Sequence, residues 1–127
     1  MEKKIISTIK APAALGPYSQ AVKVGGMVYT SGSLAINAST GEFINDDIKK
    51  ATAQSLDNLK FILEEAGTSL DKVVKTLVFL KDMNDFADMN EVYSQYFKEN
   101  PPARSCVQVA KLPKDALLEI EVIAIAN

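Results

Sequence analysis

The chain has 127 residues, of which 47% are hydrophobic, so it is long enough to bury a core and is predicted to form one domain over residues 1–127. Fourteen basic and sixteen acidic residues give a net charge of -2, which supplies no general attraction for nucleic acid. One cysteine and no histidine exclude an internal disulfide and leave almost no ligands for a zinc site, so neither a metal nor another cofactor is predicted.

The N-terminal segment does not resemble a targeting signal. Met1–Ile6 is followed by polar residues rather than an apolar signal core, and no apolar run approaches the ~20 residues that cross a bilayer. A membrane partner is therefore not expected. The single cysteine fits a reducing compartment, so the predicted location is cytoplasmic.

The first third of the chain predicts three strands and a long loop. Lys4–Thr8 is a strand candidate, and Ala21–Val24 and Met27–Thr30 flank Gly25–Gly26, which is a two-residue hairpin signal. The segment Ile9–Gln20 is too long for a simple connection in a compact domain. It is therefore predicted to be a functional loop.

The middle of the chain predicts a helix followed by a strand. Asp46 or Asp47 can cap the helix, and Gly67 stands at its stop position. Lys72–Leu80 is rich in β-branched and apolar residues and predicts a central strand. The helix has apolar or small residues at three- and four-residue steps, namely Ile48, Ala51, Ser55, Leu56, Leu59, Ile62, Leu63 and Ala66.

A second helix is predicted after this strand. Asn84 or Asp85 can cap it, and it must end before Pro101–Pro102. One apolar stripe of this helix comprises Phe86, Met89, Tyr93, Tyr96 and Phe97.

The last quarter of the chain predicts two strands that carry charges. Side chains alternate along a strand, so Arg104 and Cys106 share one face, and Glu119 and Glu121 share one face of the next strand. The break between the strands is short enough for them to be antiparallel neighbours, and one register would then place Cys106 opposite Glu119. A slip of one residue would send the carboxylates to the other face, so the register stays open.

The order of these elements predicts an α+β domain in which both helices pack on one face of a mixed sheet. The other face of the sheet remains uncovered. Since two helices cannot hide Val107, Ile123 and Ile125 together, this open face is expected to meet another copy of the chain.

Five separated motifs resemble the YjgF/RidA family of reactive-intermediate (enamine/imine) deaminases, in the family's order and at about its length. They are Ala11–Gln20, Tyr29–Gly32, Phe86–Asn90, Pro102–Val107 and Leu118–Ile120. The resemblance implies a chorismate-mutase-like fold and a homotrimer with clefts between the subunits.

Arg104 and Glu119 are the leading catalytic candidates. The guanidinium of Arg104 offers a planar, permanently charged pair of donors that suits a carboxylate, although an intersubunit salt bridge would use it equally well. Glu119 can orient a water and move its proton, but it can also be the structural partner of the arginine. Glu121 is a second candidate for that partner, or is solvated.

Cys106 is a candidate with three interpretations. A nucleophilic thiol needs a base or a cationic neighbour, and the chain has no histidine, so Arg104 is the one group nearby that would lower its pKa. A small buried thiol is the commoner role for a lone cysteine. The resemblance implies instead that the main chain at Cys106 holds substrate or water.

Four further residues are predicted to bind substrate. Tyr18 can present its ring or hydroxyl to a neighbouring subunit's cleft, or simply pack within its loop. Ser31 and Gly32 can offer a main-chain N–H to an anion, or form a plain turn at a strand end. Asn90 matches a pocket position of the family, whereas without the resemblance it would be an exposed helical residue.

The resemblance implies hydrolysis of short 2-imino acids or their enamine tautomers, such as 2-iminobutanoate and 2-iminopropanoate, to 2-keto acids and ammonia. Such imines are by-products of pyridoxal-phosphate dehydratases, so the role would be clearance of a damaging metabolite. One alternative is a regulatory trimer that binds 2-keto acids without turnover. A weaker alternative is an RNA-cleaving translation inhibitor, which the mild negative charge and the lack of histidine disfavour.

Overall fold

Six strands join into one mixed sheet, and the computed structural model describes all residues from 1 to 127. The sheet order is β1-β2-β3-β6-β4-β5, in which β4 and β5 are parallel and every other pair is antiparallel. This is the predicted α+β architecture. In chain order the elements are β1 (Lys4–Ile6), β2 (Ala21–Val24), β3 (Met27–Thr30), α1 (Ile48–Glu65), β4 (Val73–Leu80), α2 (Phe86–Tyr96), β5 (Ala103–Gln108) and β6 (Leu118–Ile125).

The predicted hairpin is present. Gly25 and Gly26 form the turn between β2 and β3 with φ values of 57° and 80°. Two consecutive residues in this left-handed region match the two-residue turn whose twist suits antiparallel strands, and glycine adopts it without strain.

Helix α1 begins and ends where its local signals predict. The side chain of Asp47 accepts hydrogen bonds from the N–H groups of Lys49 and Lys50 at 2.9 and 3.2 Å, and Gly67 adopts a φ of 84° just beyond the last turn. Each of the eight positions predicted for its inner face is buried. Neither helix is both long and apolar enough to cross a membrane.

Helix α2 begins after Asp85, one of the two predicted cap residues. Asp85 occupies the cap position, but its side chain makes no capping hydrogen bond. A single 3-10 turn precedes the helix, and there Asp82 accepts from the N–H of Asn84 at 2.8 Å. The helix ends at Tyr96, ahead of the prolines as predicted.

Both helices cover the same face of the sheet. Leu56 and Leu63 of α1 and Met89 of α2 share one buried apolar core with Val78 and Ile120 from the centre of the sheet. The opposite face has no covering element. It exposes Tyr29, Val107 and Ile125 by 42%, 48% and 39%, as expected for a surface that two helices do not reach.

Strands β5 and β6 are not neighbours, so the contact considered between Cys106 and Glu119 does not form. Strand β4 lies between them, and its Val78 pairs with Cys106 on one side and with Ile120 on the other. The crossover through α2 sets β5 parallel to β4 at the edge of the sheet. Strand β6 lies between β3 and β4 instead, because Ile120 and its other even-numbered residues are buried under the helices.

The loop before β2 is held by one side chain. Buried Gln20 accepts from the N–H of Thr8 at 2.7 Å and donates to the carbonyls of Thr8, Ala11 and Pro12 at 3.1, 3.3 and 2.8 Å. These bonds satisfy main-chain groups that no helix or sheet serves. The loop is therefore a fixed part of the fold.

Candidate active site

Arg104 projects from the edge strand β5 toward helix α2. Its guanidinium donates to the side-chain oxygen of Asn90 at 2.6 Å and lies over two aromatic rings, those of Tyr93 and Phe86. No carboxylate of the chain forms a salt bridge with it. Since only one of its N–H groups has an acceptor in the chain, the guanidinium can still bind an anion.

Cys106 lies on the same face as Arg104, as the alternation predicted. Burial raises the pKa of the Cys106 thiol, and the charge of Arg104 offsets this rise only in part. A thiol with a raised pKa is a poor nucleophile at neutral pH, so the arrangement favours the interpretation of a small, half-buried thiol.

The main chain of Cys106 is accessible to a ligand. The N–H of Val109 donates to the carbonyl of Leu80 in β4 at 3.0 Å, and β5 has no other neighbouring strand. Because the directions of the N–H and C=O groups alternate along a strand, those of Cys106 point away from β4 toward the open edge. This geometry is compatible with the main-chain role that the sequence motif implies.

Glu119 lies on the opposite, uncovered face of the sheet. It pairs with Phe79, whereas Arg104 pairs with Thr76, and neighbouring residues of a strand point to opposite faces. Burial raises the pKa of the Glu119 carboxyl, and the negative charge of Glu121 on the same face raises it further. Neither Glu119 nor Glu121 is therefore the partner of Arg104 within one chain.

Gly32 is packed against the carboxyl group of Glu119. A Cβ atom at residue 32 would lie 2.5, 2.7 and 2.8 Å from the Cδ, Cγ and Oε1 atoms of Glu119. Such distances leave room for a hydrogen atom and nothing larger. The N–H of Gly32 donates to no acceptor in the chain, so an unused donor lies next to a candidate base.

We expect Gly32→Ala to displace the Glu119 carboxylate. If Glu119 is the base, kcat for the imine hydrolysis expected from the sequence should fall by about tenfold or more, because a shift of an ångström costs a positioned catalytic group much of its effect. Steady-state kinetics measure the loss. The control is a thermal melt in a Glu119→Ala background, where all three crowding atoms are gone and the added methyl group should cost no stability. Full activity of Gly32→Ala would contradict a positioning role for this glycine.

Tyr18 belongs to the loop held by Gln20, and Ser31, which follows β3, is hydrogen-bonded to the end of that loop. Ser31 donates its N–H to the carbonyl of Gln20 at 2.9 Å and its hydroxyl to that of Ser19 at 2.6 Å, so neither group is free for an anion. The Tyr18 hydroxyl accepts from the N–H of Leu15 at 3.3 Å, and the side chain is 54% exposed. Within the chain Ser31 is thus a brace of the loop, and the ring of Tyr18 remains open to a ligand.

A broad groove of about 980 Å³ runs between this loop and the start of the segment after β3. Its lining includes Tyr18, Ser31 and Gly32, but neither Arg104 nor Glu119. The predicted catalytic residues and their neighbours thus form two groups on opposite faces of the sheet, one of Arg104, Asn90 and Cys106 and the other of Glu119 and Gly32. Tyr18 and Ser31 line the groove together with Gly32 and with Asn58 and Ile62 of α1.

Sequence reasoning missed that two aromatic residues lie beside Arg104. Phe86 and Tyr93 were predicted as core positions, yet their rings also face the guanidinium of Arg104. Their spacing from Asn90 was the available signal, because residues four and three positions away share a helix face with it. No group of three or more His, Cys, Asp or Glu side chains converges as metal ligands would.

The chain matches known proteins along nearly its whole length. The family model described as Endoribonuclease L-PSP matches residues 8–126. A RutC family protein of Pyrococcus abyssi is 56% identical over 124 residues, which cover 98% of each chain. A protein of Escherichia coli K12 named 2-iminobutanoate/2-iminopropanoate deaminase is 51% identical over 125 residues, which cover 96% of this chain and 97% of the relative.

Solved structures agree with these matches. The crystal structure of E. coli TdcF with bound serine has a TM-score of 0.93 at 50% identity and covers 98% of this chain and 99% of its own. The similarity in sequence and fold thus extends over nearly the whole chain, including the strands that carry Arg104 and Glu119. The chain therefore belongs to the YjgF/RidA family, as its motifs predicted.

Proposed function

We propose that this protein is a hydrolytic deaminase that converts short 2-imino acids, such as 2-iminobutanoate and 2-iminopropanoate, and their enamine tautomers to 2-keto acids and ammonia. The observation that carries the proposal is the guanidinium of Arg104, which is oriented by α2 but paired with no carboxylate of the chain. A 51% identical relative is named for this activity, and a 50% identical one has been solved with serine, which carries an α-carboxylate.

The chemistry divides between the two groups of residues. Arg104 binds the α-carboxylate, and a water activated by Glu119 attacks the carbon of the protonated imine. Glu119 takes one proton from that water and returns it to the nitrogen of the carbinolamine. The C–N bond then breaks, ammonia leaves with the bonding electrons, and loss of the hydroxyl proton yields the keto acid. The raised pKa of Glu119 suits a group that must both accept and donate a proton.

The proposed mechanism requires more than one copy of the chain. Arg104 and Glu119 lie on opposite faces of one sheet, so a substrate held by one arginine must meet the glutamate of another subunit. The uncovered face offers the apolar surface for such contact through Tyr29, Val107 and Ile125. We propose a homotrimer with a site in each cleft between subunits, in which heterologous contacts close into a ring.

Mixed oligomers test this arrangement. Arg104→Ala and Glu119→Ala chains are each expected to be inactive, whereas trimers that contain both kinds of chain should recover about a third of the wild-type activity, because one of the three interfaces in such a ring joins an intact arginine to an intact glutamate. The measurement is keto-acid release from mixed oligomers separated by two affinity tags. A mixture as inactive as its parents would place both groups in one subunit's site and contradict the proposal.

The activity itself is tested by keto-acid release from imines that an amino-acid oxidase generates in situ, with semicarbazide competing for the imine. Faster release with the protein than without it supports the deaminase. Binding of 2-oxobutanoate without faster release would instead identify a regulatory trimer that binds keto acids. Cleavage of RNA in the absence of imine hydrolysis would favour the activity in the description of the family model, for which the charge of -2 offers no electrostatic support.

A further inference from the structure

Helix α2 surrounds the guanidinium of Arg104 with three side chains. Asn90 accepts its N–H at 2.6 Å, and the guanidinium carbon lies 4.7 Å from the ring centroid of Tyr93 and 5.4 Å from that of Phe86. Residues 86, 90 and 93 share one face of the helix. Aromatic rings attract a cation placed over them within about 6 Å, so both rings contribute to the position of the guanidinium.

Tyr93 is itself held in place. Its hydroxyl shares a hydrogen bond of 2.8 Å with the Oγ1 of Thr76, and both residues are buried. The ring also packs on that of Phe97, with 4.7 Å between centroids. Thr76 is the β4 residue that pairs directly with Arg104. The ring and the arginine are thus fixed to the same point of the sheet.

This arrangement determines which N–H groups of the Arg104 guanidinium remain available to a ligand. A free arginine side chain loses considerable rotational freedom when it binds a ligand, and a side chain ordered beforehand loses less. Asn90 occupies one N–H, and the two rings restrict the orientation of the guanidinium plane. The unused N–H groups are therefore presented as a planar edge, which matches the two oxygens of a carboxylate.

We propose that Tyr93 and Phe86 are positioning residues that hold Arg104 ready for the substrate carboxylate. The inference rests on the proposed function in assigning Arg104 to that carboxylate. It adds that the affinity for 2-oxo and 2-imino acids depends on two aromatic side chains that need not touch the ligand. The rings would still attract a lysine at residue 104 as a cation, but lysine lacks the planar group that they orient in Arg104.

The test compares Tyr93→Leu with Tyr93→Phe and with Tyr96→Leu. Affinity for 2-oxobutanoate is measured by NMR titration, and KM and kcat by keto-acid release. Tyr93→Leu should weaken binding and raise KM by about three- to thirtyfold with kcat nearly unchanged, because a cation–π contact is lost. Tyr93→Phe keeps the ring and should restore most of the affinity.

Tyr96→Leu is the matched control. Tyr96 lies on the same helix and donates its hydroxyl to Asp57 at 2.9 Å, away from Arg104, so its loss should lower thermal stability without changing affinity. If Tyr93→Leu does not fold, Phe86→Leu provides the same comparison at a half-buried position, with a smaller expected loss of affinity.

A double-mutant cycle separates positioning from general structural damage. In an Arg104→Lys background, Tyr93→Leu should cause little further loss of affinity, because the group that the ring orients is gone. Independent, additive losses would overturn the proposal, and so would wild-type affinity in both Tyr93→Leu and Phe86→Leu. Failure of the unaltered protein to bind 2-oxobutanoate would overturn it as well.

The two proposals fail in different ways. If no variant hydrolyses imines but Tyr93→Leu still weakens 2-oxobutanoate binding, the deaminase assignment is wrong and the positioning role remains. If imines are hydrolysed and neither aromatic substitution changes KM, the positioning role is wrong and the deaminase assignment remains.

Discussion

Arg104→Ala is expected to lower kcat/KM for 2-iminobutanoate hydrolysis by about a hundred- to ten-thousandfold, because two charge-assisted hydrogen bonds of about 1.5–3 kcal/mol each are lost. The guanidinium makes no salt bridge in the chain, so its removal leaves no carboxylate of the same chain unpaired. Steady-state kinetics with in-situ imine generation measure the effect. The fold should survive, since β5 is an edge strand and Arg104 is only half-buried.

Two further variants make the result specific to the guanidinium. Arg104→Lys keeps the charge but loses the planar pair of donors, so it should retain only part of the activity. Lys60→Ala removes an exposed positive charge from α1 and should leave the rate unchanged. Wild-type kinetics in Arg104→Ala would show that this arginine does not bind substrate.

Glu119→Gln is expected to lower kcat by about a hundred- to ten-thousandfold, the usual contribution of a positioned general acid or base. Affinity for 2-oxobutanoate should remain within a few fold, because the carboxylate anchor Arg104 is intact. Single-turnover kinetics and NMR titration measure the two quantities separately. Glu121→Gln is the matched control, since it removes the same charge from the same face of β6 two residues away.

The raised pKa of Glu119 gives this prediction a pH dependence. The base form of the carboxyl exists above its pKa, so activity should be lost as the pH falls through that raised value. Glu121→Gln removes the smaller of the two causes of the shift and should move the acidic limb of the profile to lower pH. An acidic limb that stays in place in Glu121→Gln would contradict the coupling of the two carboxyl groups.

The same shift predicts that Glu119→Gln does not destabilise the fold. Because burial raises the folded-state pKa above the unfolded-state pKa, the protonated form favours folding, and stability falls as the pH rises through the folded-state value. Glutamine stays neutral, so the free energy of unfolding of Glu119→Gln does not fall in this way as the pH rises. Thermal melts should therefore show Glu119→Gln at least as stable as the wild type at neutral pH, with the difference shrinking in acid.

Local signals predicted the helices and the hairpin correctly. Asp47, Gly67 and the pair Gly25–Gly26 act on backbone within a few residues, so their effects can be deduced from sequence alone. The order of the last strands could not be deduced this way. A short connection between β5 and β6 suggests a pair, but burial under two distant helices decides which strand takes the centre of the sheet.

The candidate site shows the same difference between features set by local sequence and features set by tertiary packing. The roles predicted from the residue types at Arg104 and Glu119 stay predictions, whereas the alternation within each strand was correct. Their separation by the sheet depends on the register of both strands against β4, which lies far away in sequence. The tight contact of Gly32 with Glu119 likewise depends on tertiary packing, so the glycine was interpreted through its N–H alone.

The hydrogen bonds of Gln20 have a consequence for how this family can diversify. Gln20 recognises the loop through main-chain atoms of Thr8, Ala11 and Pro12, and it makes no contact that depends on the identity of Ile9. The side chain of Ile9 is 96% exposed beside the groove. Substitutions at residue 9 can change the chemistry of the groove wall, while the main-chain hydrogen bonds of Gln20 keep the loop in the same conformation. The ligand preference of the groove can therefore change without a change in the backbone of the loop.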